Sequence, residues 1–136
     1  MTSATLTPRS RAKADYLNLT LWTFQGWIAM FFVAAGYAKL TESMENLTVL
    51  MNWPAMASVS FVRGLGVAEM VLALMVLSPL ISWRIGRPLL LTAVAGLLAL
   101  ETVMLGVHAF SLDIGLALTN LVLIAITAPV LWFRRH

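Results

Sequence analysis

Glu69, Glu101 and His108 interrupt long apolar runs of this sequence, with Arg63 and Lys39 close to the ends of two of them. Carboxyls, an imidazole and two cations can bind a polar head group, exchange protons with it and stabilise a developing anion. Ionisable groups deep in a bilayer are costly, so they point first to function. Their depths follow from helical rise. Glu69 lies six residues beyond Arg63, about 9 Å further in at 1.5 Å per residue. His108 lies seven residues beyond Glu101, about 10–11 Å away on the same helix face. If the two spans run in opposite directions, Glu69 and Glu101 share a level near the midplane, and Arg63 and His108 share one near the rim. Lys39, Asp113 and Asn120 fall in the same half, whereas the opposite half shows only Gln25 as a comparable side chain. Two carboxyls at one level in a low dielectric do not both ionise readily, and a neutral carboxyl beside a histidine can bind or relay a proton.

Each residue also has a structural reading. Lys39 and Arg63 can snorkel to head groups. Glu69 can fix helix register through an ion pair, Glu101 can bond a backbone carbonyl, and His108 can close the end of its helix. None of the five is assigned as catalytic. A metal site built from Glu69, Glu101 and His108 has no supporting ligand spacing. There is no HExxH, GxxxxGK or GxGxxG motif. With no cysteine, there is no disulfide, thiolate nucleophile or iron–sulfur cluster. A single intramembrane histidine does not supply bis-histidine haem ligation.

The elements that must position these residues are membrane spans. The chain has 136 residues, 60% hydrophobic and 11% charged, against roughly 45–50% apolar and about 25% charged in soluble domains. The expected architecture is all-α: an integral membrane four-helix bundle with spans at about 17–38, 61–80, 88–110 and 114–133. Residues 1–16 are polar and are expected to form a cytoplasmic tail outside the bundle. Pro88 is expected to open the third span, and Pro129 to kink the end of the fourth. Between the first two spans, Met44, Leu47, Leu50 and Met51 recur at helical spacing and predict an amphipathic interfacial segment ending near Trp53 and Pro54. Trp53 suits an interfacial anchor, as do the other tryptophans, which fall mostly at run ends. Pairs such as Gly64/Ala68, Gly66/Met70, Ala95/Ala99 and Gly115/Thr119 predict close packing of spans.

The net charge of +3 comes from nine Lys/Arg and six Asp/Glu. Arg9, Arg11, Lys13, Arg84, Arg87, Arg134 and Arg135 flank one side of the predicted spans, against Lys39 and Arg63 on the other. That bias places both termini in the cytoplasm. Basic residues lying between apolar runs do not form a nucleic-acid face.

Several of these segments together resemble a known family. AAGYAKL, with Gly36, Lys39 and Leu40, looks like the G-x-x-K-L signature of the DoxX-like family. GVAEM, with Gly66 and Glu69, is similar to its G-x-x-E motif. ETVMLGVHAFSLD resembles its apolar stretch that closes in a histidine followed by an acidic residue, here His108 and Asp113. The family often has a glycine two residues before the loop proline, where this chain has Asn52. The resemblance implies a small four-span protein of bacterial inner membranes. Some relatives are membrane subunits of quinone-linked oxidoreductases such as thiosulfate:quinone oxidoreductase, others serve redox-stress or catabolic systems, and a eukaryotic group acts in cargo sorting. Members with thiol chemistry use cysteines, which this chain lacks.

Three functions are consistent with these residues. The first is a subunit that binds a quinone or similar lipophile in a polar outer-half pocket formed by Glu69, Glu101, His108, Arg63 and Lys39, within a redox-linked complex whose partner protein supplies the electrons. The second is a membrane scaffold without a ligand. The third is a small transporter, disfavoured by the dry inner half. No covalent cofactor is expected, whether the chain is an enzyme stays open, and a homo-oligomer is consistent with so small a bundle.

Overall fold

The computed structural model describes residues 5–135. Residues 1–4 of the expected tail, and His136, lie outside the described residues. Five α-helices make up the fold: α1 (Pro8–Thr41), α2 (Met44–Met51), α3 (Val59–Val76), α4 (Trp83–Phe110) and α5 (Ile114–Arg134). Single 3-10 turns follow α2 (Trp53–Met56) and α3 (Ser78–Leu80). Four segments are long and apolar enough to cross a membrane: α1, α3 with its following turn, α4 and α5. They form an antiparallel bundle in which α1 packs most extensively on α3, α4 on α5, and α5 closes back on α1. Leu21, Ile28, Phe32, Val76, Leu90 and Leu97 lie in its main core.

The helices extend beyond the expected spans, and the reasons are local. α1 starts at Pro8, nine residues before the apolar run at Leu17, so much of the expected tail is helical. Thr7 caps it, accepting from the Ser10 amide, and Pro8 occupies the first turn, where its missing N–H costs nothing. A helix of 34 residues spans about 51 Å, well over the roughly 30 Å of a hydrocarbon core. The apolar run therefore marks the extent of burial in lipid and not the extent of the helix. α4 likewise begins at Trp83, which puts Pro88 inside the helix and not at its start. Gly86 permits this geometry, because a β-carbon there would lie 2.4 Å from the Pro79 nitrogen in the preceding turn.

α2 and its turn form a cap over one end of the bundle. Ser43 caps α2 by accepting from the Asn46 amide, and Leu47 packs with Trp53 and Val62 in a second small core. Trp53 is buried. It packs edge-on against Phe61 under the cap, which corrects its reading as an interfacial anchor. The cap turns at Asn52, with φ 67° and ψ −55°. A left-handed φ suits glycine best and asparagine next, so asparagine is well placed at this turn. Asn52→Gly should therefore be neutral or slightly stabilising, and Asn52→Val should destabilise the fold by about 1 kcal/mol. Thermal unfolding in detergent followed by circular dichroism would measure both; a stabilising valine would contradict the assigned turn.

Candidate functional site in the capped half of the bundle

The site is organised by the crossing of α1 and α3. Gly36 and Gly66 face each other there: a β-carbon on Gly66 would sit 2.9 Å from the Gly36 carbonyl oxygen, and one on Gly36 would sit 2.7 Å from that of Gly66. Only glycines allow backbones this close. One turn beyond each glycine comes a charged residue, Lys39 on α1 and Glu69 on α3. The Lys39 ammonium donates to both Glu69 carboxylate oxygens, at 2.8 and 3.0 Å, and both residues are buried. Arg63, one and a half turns before Glu69, donates to the Lys39 carbonyl oxygen at 2.5 Å. It thereby satisfies an acceptor near the end of α1.

Glu101 reaches the same region from α4. It is 1% exposed, and one carboxyl oxygen, Oε1, accepts from the Thr127 hydroxyl of α5 at 2.7 Å. The other, Oε2, is buried with no hydrogen-bond partner among the described residues. His108 lies two turns along α4 and is also buried. Asn120 on α5 donates to the Leu116 carbonyl within its own helix.

Lys39, Glu69, Glu101, His108 and Asn120 all line one cavity of about 90 Å³. Phe31, Phe32 and Leu123 form part of its apolar wall, and Trp53 lines it from the capping segment. Four of the five residues singled out in the sequence therefore meet at one place. Arg63 does not line the cavity, and its guanidinium is used on the main chain. Lys39, which could also have snorkelled to head groups, is buried and directed to Glu69. Among the described residues, no three His, Asp or Glu side chains come together as a metal site.

A second polar cluster, at the opposite end, corrects the expectation of a dry half. Arg134 curls back into the bundle, donating to Gln25 Oε1 at 2.9 Å and to Asn18 Oδ1 at 2.8 Å. Its guanidinium also lies over the rings of Trp22 and Trp83. Gln25 donates in turn to the Val76 carbonyl. Arg134 reads in sequence as a flanking charge, and only the preceding tryptophans hint that it has somewhere apolar to go.

The helices and their composition define an integral, multi-pass membrane protein in contact with the bilayer. More particularly, the chain belongs to the DoxX-like family, whose sequence profile matches residues 23–130. No curated protein and no solved structure matches it.

Proposed function

We propose that this protein binds a quinone or similar head-grouped lipophile, with a polar atom of its head group at the cavity between its four spans, as the membrane subunit of a redox-linked complex. The observation that carries this reading is Glu101 Oε2, a buried polar atom in a cavity wall with no partner among the described residues. Leaving such an atom unsatisfied costs about 1–3 kcal/mol, which a ligand hydrogen bond would offset. A carboxyl suits both members of a quinone couple: as the acid it donates to a quinone carbonyl, and as the carboxylate it accepts from a quinol hydroxyl. His108 and Asn120 offer further hydrogen bonds to the head. The Lys39–Glu69 pair, satisfied by its own members, sets the shape of the wall. Electrons would come from a partner protein, and the bias of Lys and Arg favours an inner-membrane orientation with both termini cytoplasmic.

The test is an organic extract of the protein purified in mild detergent, analysed by mass spectrometry. The parent should carry a quinone or other head-grouped lipophile, and Glu101→Leu, which spares the ion pair, should carry about tenfold less or lower. His108→Ala should reduce the amount less severely. Bulk phospholipid alone in the parent would overturn this reading and favour the scaffold role, for which the self-contained Lys39–Glu69 pair is the supporting observation.

A further inference from the structure

The cavity is too small to hold a ring. At about 90 Å³, it falls below the roughly 150 Å³ void that accepts benzene, and well below ordinary ligand pockets of about 300–1,000 Å³. It does not stand alone, however. A groove of about 430 Å³ runs between α1 and α5, lined by Trp27, Phe31, Leu118, Thr119, Val122 and Leu123, among others. Phe31, Thr119 and Leu123 line the cavity as well as the groove, so the two volumes share a wall. The side chains at the groove face outward: Trp27 is 50%, Leu118 55% and Val122 58% exposed, and in a membrane that surface meets lipid.

Resting on the lipophile reading above, we infer that the ligand enters sideways from the bilayer between α1 and α5. Its ring and single apolar tail lie in this groove, and one head oxygen reaches past Phe31 and Thr119 to Glu101. The groove is apolar except for Thr119, and the ionisable side chains line the adjoining cavity. That division selects an amphiphile with one small hydrogen-bonding head and one chain. A two-chain phospholipid would have to bring a hydrated, charged phosphate past Phe31, and a water-soluble substrate would leave the groove unfilled.

The experiment uses a benzoquinone with a decyl tail ending in a diazirine, photolysed with the full-length protein in lipid nanodiscs. Modified peptides are then mapped by mass spectrometry. Adducts confined to the α1 and α5 residues of the groove, and reduced about tenfold in Glu101→Leu, are the expected result. Val122→Trp, which fills the groove without touching the core, should lower the labelling by a similar factor. Adducts lost in Glu101→Leu but located on α3 and α4 would overturn lateral entry while leaving the head site intact. Labelling spread over all outward faces and indifferent to Glu101→Leu would overturn both the head site and the entry route. The maps of the parent and of Glu101→Leu decide between these outcomes even if Val122→Trp does not fold.

Discussion

Lys39→Met should unfold or disorder the bundle far more than its polarity alone suggests. It strands the Glu69 carboxylate, buried and without its cation, and breaking such a pair typically costs about 3–5 kcal/mol. Glu69→Met should cost a similar amount by stranding the ammonium. The double substitution should recover most of the loss, because two methionines leave no charge behind and fit an apolar crossing. On a thermal melt in detergent, each single variant should fall by about 10 °C or more and the double variant should lie close to the parent. Two singles as stable as the parent would mean that the pair contributes nothing. The double variant also separates structure from binding: if it folds and keeps its lipophile, the pair is a positioning element and Glu101 is the ligand's partner.

The second large effect is expected at the helix crossing that brings that pair together. Gly66→Leu must push α1 and α3 apart, since even a β-carbon at Gly66 would meet Lys39 Cβ at 2.8 Å and the Gly36 carbonyl oxygen at 2.9 Å. One neighbour is helix backbone and the other a β-carbon fixed directly to it, so neither can yield as a flexible side-chain tip would. Gly66→Ala should cost about 1–3 kcal/mol, and leucine more, through overpacking. Gly64→Ala is the control: a β-carbon there meets nothing within 4 Å, and alanine's higher helix propensity makes the change neutral or slightly favourable. Size-exclusion profiles and melts of the three variants would measure this order. If Gly66→Ala proved as harmless as Gly64→Ala, the close crossing would be wrong.

This contrast also shows what could be read from the residues alone. The four spans and the shared level of Glu69 and Glu101 followed from hydropathy and helical rise, both of which are local. The small-residue pairs were less informative. Of those singled out, Gly66 sits at a close crossing, whereas Gly64, Ala95 and Ala99 face outward, because i, i+4 spacing of small residues does not say which face meets a neighbour. Lys39 could be read either as snorkelling to head groups or as part of the polar pocket. Its long stem lets the ammonium travel a further turn to Glu69, a movement that only the partner's location reveals. Glu101 was legible as a buried carboxyl, but its link to Thr127 was not, since threonine in a span more often bonds its own preceding turn, as Thr92 and Thr102 do here. The helices run past the expected span ends where caps extend them: the Thr7–Pro8 signal was present, but it lies outside the apolar run.

The Arg134 cluster has a consequence for how the protein is made. Its partners Asn18 and Gln25 lie on α1, 116 and 109 residues earlier in the chain. A ribosome therefore delivers α1 to the insertion machinery long before the guanidinium that will engage its polar side chains exists. Until α5 is threaded, Gln25 and Asn18 need temporary company, from water, from head groups or from the translocon itself. Arg134 then docks between Trp22 and Trp83 and joins the two helices that are most distant in order of synthesis. Chains halted before α5 should thus leave the side chains of Gln25 and Asn18 without their guanidinium partner.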